Sequence, residues 1–271
     1  MTPESFDLSG RVAVVTGGYG VLGGSMADGL AAAGVRVAVL GRRREPAERK
    51  AAEIRERGGE AIALAADVLD EAQLRGARDE LLGDWGRIDI LVNAAGGNVA
   101  RARTDHTPVF AMPADAFDEV VRLNLHGSVI PSLVFGEAMA ARRTGSIINV
   151  SSMAARQAIS GVLGYAVAKA AIDSFTRWMA VDLARRHGDG LRVNAIAPGF
   201  FVATQNRGVL MNEDGSYTDR ANTILARTPM GRFGAPEELN GAVQWLCSDA
   251  ASFVTGAVIP IDGGFSAFSG V

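Results

Sequence analysis

VAVVTGGYGVLGG, residues 12–24, is the stretch that decides the fold. Its first part, Val12–Thr16, is apolar and β-branched, which is typical of a buried strand. Gly18, Gly20 and Gly23 then match the pattern G-x-G-x-x-G, and a helical pattern follows. Glycines at such a turn let backbone N–H groups approach a pyrophosphate, because no Cβ blocks the way. The stretch predicts a dinucleotide-binding turn, with a flexible turn without a ligand as the alternative.

The rest of the chain repeats this alternation of strand and helix. The short β-branched runs predict strands at 12–16, 35–40, 61–65, 88–93, 146–150, 191–196 and 257–261. The longer periodic runs predict helices at 22–33, 46–57, 71–82, 114–142 and 237–246, and a helix around Tyr165 that runs to about residue 186. This βαβα order predicts an α/β fold, a doubly wound parallel sheet (Rossmann fold) with helices on both faces. We see no linker and no internal repeat, and therefore expect residues 1–271 to form a single domain.

Two polar segments interrupt the alternation, at 97–113 and 199–233. Long irregular insertions in a compact domain are usually functional or disordered. Both segments follow predicted strand ends, at the edge of the sheet where open α/β folds bind ligands. We interpret residues 199–233 as a mobile C-terminal lid over a substrate cleft.

The composition limits the classes of function. The 271 residues are 48% hydrophobic, enough for a sizeable core, and the net charge of −3 gives no support to nucleic-acid or membrane-surface binding. A single cysteine, Cys247, excludes an intramolecular disulfide, and the dispersed His106, His126 and His187 predict no metal site. Residues 1–11 lack a signal-peptide pattern, and no apolar run approaches about 18 residues. We therefore expect a cytoplasmic protein without a membrane span.

Ser152, Tyr165 and Lys169 form the candidate catalytic group. Tyr165 and Lys169 stand four residues apart in a predicted helix and share one face, and Ser152 follows the predicted strand 146–150. A cation beside a phenol favours phenolate and lowers a pKa that is ordinarily near 10. Such a tyrosine can exchange a proton with an alcohol or carbonyl oxygen. The alternative is a tyrosine packed on a helix beside a solvated lysine.

Residues at the ends of three further predicted strands indicate how a dinucleotide would be held. Arg42 and Arg43 occupy the position where a basic residue accommodates the 2′-phosphate of NADP, so NADP(H) is favoured and NAD(H) is the second choice. A solvated charge run is the alternative for these arginines. Asp67-Val68 fits an acceptor for the adenine amino group, and residues 93–96 are small where a cofactor would lie. A structural turn is the alternative for both.

Taken together, these pieces resemble the short-chain dehydrogenase/reductase superfamily over essentially the whole chain. The matching segments are the glycine turn, Asn93-Ala-Ala-Gly96, Ser152, Tyr165-x-x-x-Lys169, Pro198-Gly199 and Asp262-Gly-Gly264. Val21 departs from the commoner turn of the family, which has glycine there. The resemblance implies a catalytic set of Asn124, Ser152, Tyr165 and Lys169, and a homotetramer. It implies cofactor contacts from Gly17, Gly18, Tyr19, Gly20, Val21, Leu22, Gly23, Arg42, Arg43, Asp67, Val68, Asn93, Ala94, Ala95, Gly96, Tyr165, Lys169, Pro198 and Gly199.

The resemblance also implies a role for each catalytic residue. Tyr165 would be the general acid in reduction and the base in oxidation. Lys169 would lower the tyrosine pKa and bond the nicotinamide ribose. Ser152 would donate a hydrogen bond to the substrate oxygen. Asn124 would hold a water that connects Lys169 to solvent.

A narrower likeness is to the D-mannonate oxidoreductase (fructuronate reductase) branch. It rests on residues 18–24, 95–98, 198–201, 205–207, 212–216, 228–234 and 262–271, with departures at 99–101 and 203–204. It implies hydride transfer between a nicotinamide cofactor and a sugar acid, D-fructuronate or D-mannonate. The alternatives are another carbonyl class (a 3-oxoacyl thioester, a gluconate-type keto acid or a polyol) and a cofactor-binding protein without catalysis.

An anionic sugar acid needs local cations, because the protein as a whole is acidic. Arg207 is the first candidate to bind its carboxylate and Arg156 the second, while Asn98 and Gln205 would bind hydroxyls, beside Ser152. The alternative is that these arginines merely face solvent.

Overall fold

A computed structural model describes residues 3–105, 108–202 and 207–270. These residues contain seven strands in one parallel sheet, β1 Val12–Thr16, β2 Arg36–Gly41, β3 Ala61–Ala65, β4 Ile90–Asn93, β5 Gly145–Val150, β6 Leu191–Pro198 and β7 Val258–Ile261. The strand order is β3-β2-β1-β4-β5-β6-β7. The chain order therefore reverses direction between β1 and β4, which is the position where sheets of this kind bind ligands.

The helices cover the two faces of the sheet. They are α1 Val21–Ala32, α2 Arg44–Glu56, α3 Glu71–Trp85, α4 Ala114–Val121, α5 Gly127–Arg142, α6 Leu163–His187, α7 Arg207–Leu210, α8 Asp219–Ala226 and α9 Asn240–Cys247. Helices α1, α2 and α9 pack into one apolar core, and α3, α5 and α6 into the other. Strand β1 contributes side chains to both cores, because alternate side chains of a strand point to opposite faces of the sheet. The predicted α/β fold is confirmed.

Two predicted elements differ in the structure. The helix predicted over 114–142 is interrupted by a π-helical turn at Arg122–His126. The segment 199–233, which we expected to be irregular, contains α7 and α8, packed around a small apolar cluster. Leu210, Ala221, Ile224 and Phe233 form that cluster. Local burial of these apolar side chains explains why the segment is partly helical despite its polar composition.

A chain of buried polar side chains joins the ends of the central strands. The Asn93 amide at the end of β4 donates to Asn149 of β5 over 2.9 Å and to Ser132 of α5 over 2.8 Å. Asn149 in turn donates to Thr176 of α6 over 2.9 Å. These bonds fix α5 and α6 to the strand ends that carry the candidate site. Within the described part of the chain, no helix is long and apolar enough to cross a membrane.

Candidate active site

The turn between β1 and α1 is closely packed backbone. A Cβ on Gly23 would lie 2.3 Å from the Gly17 carbonyl oxygen, and one on Gly18 would lie 2.7 Å from the Val15 carbonyl oxygen. Gly20 caps α1 and supplies no side chain to accept a hydrogen bond from the first-turn N–H groups. Those N–H groups are therefore available to an anion, and a pyrophosphate fits this turn.

The residues beside the turn cover the end of β2. The ring of Tyr19 lies over Gly41, where a Cβ would be only 2.2 Å from the ring atom Cε1. The guanidinium of Arg43 lies 5.7 Å from the centroid of that ring, and Arg42 and Arg43 are both exposed. A stacked ring with an adjacent guanidinium suits an adenosine that carries a phosphate. Val21 and Leu22 open α1 beside them.

Asp67 and Val68 follow β3. One carboxylate oxygen of Asp67 accepts a hydrogen bond from the Leu69 N–H over 2.9 Å, so the residue shapes its own turn. Val68 is buried and packs near Gly127, where a Cβ would lie 3.1 Å from the valine side chain. Asp67 therefore has the role in a structural turn that we gave as the alternative. Its recognition of adenine stays a prediction.

The segment after β4 is held from two sides. The Thr16 hydroxyl accepts hydrogen bonds from the N–H groups of Ala94 and Ala95, over 3.1 and 3.2 Å. A Cβ on Gly96 would lie 2.6 Å from Asn124 Oδ1. The backbone at Gly96 can therefore run close to a ligand only because glycine leaves the space open.

Asn124 lies in the π-helical turn and is fully buried. Its side-chain amide makes two hydrogen bonds with the Gly97 backbone. The amide oxygen accepts from the Gly97 N–H over 3.1 Å, and the amide nitrogen donates to the Gly97 carbonyl over 2.7 Å. The amide also donates to the Val120 carbonyl over 2.8 Å. The π turn therefore aims the side chain at the segment after β4, and single π turns often occur at functional sites.

Lys169 is buried at the base of the site. Its ammonium donates to the Val150 carbonyl over 2.6 Å and lies 3.7 Å from the position of a Cβ on Gly96. Burial lowers the pKa of Lys169 to about 8, and the negative charge of Asp173 acts in the opposite direction. Asp173 is itself buried and accepts a hydrogen bond from the Ser151 hydroxyl.

Our sequence reasoning missed Ser151 and Asp173. The signal for Asp173 was its spacing, because it stands one turn after Lys169 in an otherwise apolar part of α6. Ser151 gave no signal beyond its place next to Ser152. Helix α6 packs against the 3-10 turn Met153–Ala155, which follows Ser152, and this packing brings the two residues together.

Ser152 and Tyr165 face each other across the start of α6. Ser152 has an extended backbone, and its hydroxyl accepts from the Ala154 N–H over 3.1 Å. Burial raises the pKa of Tyr165, and hydrogen bonding with Ser152 acts in the opposite direction. The Lys169 ammonium lies 5.4 Å from the centroid of the Tyr165 ring. Burial therefore raises the pKa of Tyr165, whereas we expected the lysine charge to lower it.

The candidate substrate residues are spread more widely. Arg156 donates to the Val258 carbonyl over 3.0 Å, and its Nε lies 4.0 Å from a carboxylate oxygen of Asp173. Asn98 is exposed, and Arg207 is exposed at the start of α7. Gln205 lies outside the described residues.

Pro198 and Gly199 end β6 beside β7. The Gly199 N–H donates to the Ile261 carbonyl over 2.9 Å, and a Cβ on Gly199 would lie 2.6 Å from the Asp262 Cα. Gly199 is therefore needed where these two backbones meet, and the pair directs the following segment across the edge of the sheet.

Two clefts open beside that segment. The larger, of about 720 Å³, is bounded by residues 157–160, Phe200, α8 and the chain at 265–269. The smaller, of about 360 Å³, lies between Phe200 and the turn after β7. Residues 157–160 of the larger cleft belong to the link between Ser152 and Tyr165, which makes this cleft the candidate substrate site.

Comparison with known proteins agrees with this geometry. A family model described as enoyl-(acyl carrier protein) reductase matches residues 20–266. An uncharacterized oxidoreductase of Bacillus subtilis, UxuB, is 45% identical over the full length of both chains.

Two solved structures are similar throughout. One is a proposed D-mannonate oxidoreductase from Haemophilus influenzae with bound NAD, which is 40% identical with a TM-score of 0.92 and 98% of each chain covered. The other is a gluconate 5-dehydrogenase from Burkholderia cenocepacia in complex with NADP and tartrate, which is 35% identical with a TM-score of 0.88 and 98% of each chain covered.

These similarities confirm the resemblance that the sequence suggested. The protein is an oxidoreductase that acts on CH–OH groups. We conclude that the chain belongs to the short-chain dehydrogenase/reductase family.

Proposed function

We propose that the protein transfers a hydride between a nicotinamide cofactor and the carbonyl or alcohol of a sugar acid, with D-fructuronate and D-mannonate as its substrates. The observation that carries the proposal is the convergence of Lys169 and Asn124 on Gly96. The Lys169 ammonium also bonds to the end of β5, close to Ser152, and Ser152 is hydrogen-bonded with Tyr165. Such convergence of a phenol, an ammonium, a hydroxyl and an amide has little purpose in a cofactor-binding protein without catalysis.

Each of these residues has a distinct task in the proposed reaction. Tyr165 donates its phenolic proton to the carbonyl oxygen in reduction and recovers it in oxidation. Ser152 donates a hydrogen bond to the same oxygen, and Lys169 provides a positive charge that favours the phenolate. Asn124 fixes Gly97, and its link to solvent through a water stays a prediction. The nicotinamide, when bound, supplies or accepts the hydride.

NADP(H) is the proposed cofactor, with NAD(H) as the second. Arg42 and Arg43 support this choice, because both are exposed at the end of β2 and Arg43 lies against Tyr19. The relatives bind either form, since the Haemophilus structure holds NAD and the Burkholderia structure holds NADP. Gly17, Gly18, Gly20 and Gly23 would hold the pyrophosphate in both cases.

The proposed substrate class rests on two lines of support. The name of the Haemophilus relative refers to D-mannonate, and that of the Burkholderia relative refers to gluconate. The larger cleft also contains two arginines, as a carboxylate requires. A gluconate-type keto acid is the second candidate, because the Burkholderia dehydrogenase is similar over nearly the whole chain.

A substrate panel tests the proposal directly. Purified protein would be assayed with NADPH and NADH against D-fructuronate, 5-keto-D-gluconate, neutral D-fructose and a 3-oxoacyl thioester. We expect kcat/KM to be highest for D-fructuronate. A preference for the thioester or for fructose would reject the sugar-acid assignment. Cofactor binding without turnover of any compound would reject the enzymatic one.

The segment 199–233 is proposed to act as a lid over the larger cleft. Phe200 and α8 line the cleft, and the segment has a small apolar cluster of its own, so it could move as a unit. Limited proteolysis tests this role, because a bound sugar acid and cofactor should protect the segment. An unchanged cleavage rate would argue against closure.

The protein is also proposed to work as a cytoplasmic homotetramer. On α6, Met179 is buried and Phe175 packs partly into the core of its own chain, so neither is available to a partner subunit. Trp178 is 70% exposed on α6, with Val181 and Val167 also exposed, and these three support an interface. Light scattering of the native protein, and of a Trp178→Glu variant, measures the assembly.

A further inference from the structure

Helix α8 presents one face to the larger cleft. Arg220, Thr223, Ile224 and Arg227 all line it, at the spacing i, i+3, i+4 and i+7. Residues at this spacing share a single side of a helix. The cleft therefore has an arginine at each end of one wall, with a hydroxyl and an apolar side chain between them.

The two arginines give this wall a positive charge. None of the residues that line the cleft is acidic. In the described ranges, no carboxylate lies within 4.0 Å of either guanidinium. The smaller cleft differs, because its Arg232 is paired with Glu238 at 2.6 and 2.7 Å. The larger cleft is thus the one that can accept an anion.

Arg220 is held at the wall by the loop that leads to Tyr165. It donates to the Ser160 hydroxyl over 3.1 Å and to the Ser160 carbonyl over 3.0 Å. These bonds fix the guanidinium beside the cleft, and an arginine that is already ordered loses less freedom when it binds a ligand.

Arg227 lies at the opposite end of the wall, against Gly270. One of its terminal nitrogens is 3.4 Å from the position of a Cβ on Gly270. Favourable interaction with the helix dipole could explain an arginine at the C-terminal end of α8. It cannot explain Arg220, because a cation in the first turn of a helix is unfavourable. Arg220 is held instead by its bonds to Ser160, which keep its charge at the cleft where an anionic ligand can use it.

We propose that Arg227, assisted by Arg220, binds the carboxylate of the substrate in the larger cleft; this inference rests on the proposed sugar-acid function. The planar guanidinium of Arg227 suits a bidentate pair with a carboxylate. Gln157, Ser160 and Thr223 line the same cleft and supply polar groups for the hydroxyls. Arg227 and Arg220 thus take the role that the sequence suggested for Arg207 and Arg156.

Steady-state kinetics with D-fructuronate and NADPH test the inference. Arg227→Gln should raise KM by about 10- to 100-fold with little change in kcat, because a charge-assisted pair that is equally strong in ground and transition states is lost. Arg227→Lys should give a smaller rise, since it keeps the charge and loses the planar fork. Arg220→Gln should also raise KM.

The matched control is Arg142→Gln, which removes one exposed arginine at the end of α5, next to the start of β5 and at the opposite edge of the sheet. Its KM should equal that of the native protein. NADPH affinity, measured by fluorescence titration, should be unchanged in all variants. If Arg220→Gln disturbs the Ser160 contact and lowers that affinity, Arg227→Gln alone decides the matter.

The possible failures are distinguishable. Native protein that turns over D-fructuronate while Arg227→Gln leaves KM unchanged would overturn the carboxylate site and keep the proposed function. An equal rise in KM in Arg142→Gln would also overturn the site, because general electrostatics would then explain the effect. Native protein that turns over no sugar acid would overturn both.

Discussion

The ammonium of Lys169 donates a 2.6 Å hydrogen bond to the carbonyl of Val150. Val150 is the last residue of β5, and Ser151 and Ser152 follow it directly. This bond therefore ties the helix that carries Tyr165 to the strand that carries Ser152.

Tyr165→Phe should abolish most of the turnover and leave the cofactor affinity nearly unchanged. The substitution removes only the phenolic oxygen, and loss of a general acid costs about 100- to 10,000-fold in rate. Tyr217→Phe is the matched control, because Tyr217 is exposed and its ring packs edge-on against Phe233. Near-normal kcat in Tyr165→Phe, with NADPH still bound, would refute the assignment.

Lys169 should make the stability of the protein depend on alkaline pH. Its pKa falls from 10.5 to about 8 on folding, so between these values the unfolded chain binds more protons than the folded one. The free energy of unfolding should therefore rise as pH increases from 8 to 10.5, by about 3 kcal/mol at most.

A Lys169→Met variant isolates this effect. Its side chain does not titrate, so the difference in unfolding free energy between native protein and variant removes the contributions of other groups. Urea titrations at several pH values between 7 and 10.5 measure that difference. A difference that stays flat with pH would mean that Lys169 keeps an ordinary pKa.

Asp173→Asn should move the pH range over which the unfolding free energy rises to lower pH. The Asp173 charge raises the pKa of Lys169, so its removal should bring that pKa below about 8. The alkaline rise in stability should then begin earlier, which a purely packing role would not cause. Asp182→Asn is the control, because Asp182 lies on the same helix but pairs with Arg186. Equal profiles for both variants would exclude the coupling.

Gly23→Ala should weaken both stability and cofactor binding. The added Cβ would lie 2.3 Å from the Gly17 carbonyl oxygen, so the turn backbone has to shift. At Gly24 the nearest atom is the flexible end of Lys50, at 3.4 Å, so Gly24→Ala should be tolerated and should gain helix propensity. Thermal unfolding and NADPH titration compare the stability and the cofactor affinity of the Gly23→Ala and Gly24→Ala variants. Equal behaviour would contradict the packed-turn description.

The sequence predicted the parts of the site that depend on local pattern. The turn at Gly18, the strand ends and the Tyr165–Lys169 spacing are fixed by period and residue type, and the structure brings Ser152, Tyr165, Lys169 and Asn124 together. The π turn around Asn124 could not be predicted, because no residue type in Arg122–His126 marks the extra residue of such a turn.

Arg227 could not be identified from the sequence for a different reason. Its spacing from Arg220 was visible, but the polar composition of 199–233 predicted no helix there. Which face of α8 borders the cleft depends on long-range packing of the apolar cluster around Ile224. The arginine nearest to Ser152 in sequence, Arg156, is instead held by Val258 and Asp173.

Removing Arg42 and Arg43 should change the choice of cofactor. A guanidinium that pairs with the 2′-phosphate stabilises NADPH alone, because NADH has a hydroxyl there. The double variant Arg42→Ala/Arg43→Ala should therefore lower kcat/KM for NADPH by about 10- to 100-fold and leave the value for NADH nearly unchanged. Arg49→Ala is the control, because Arg49 lies further along α2 and pairs with Glu45. Equal losses for both cofactors would show that the arginines only support the fold around Tyr19. A native enzyme that prefers NADH would show that they face solvent.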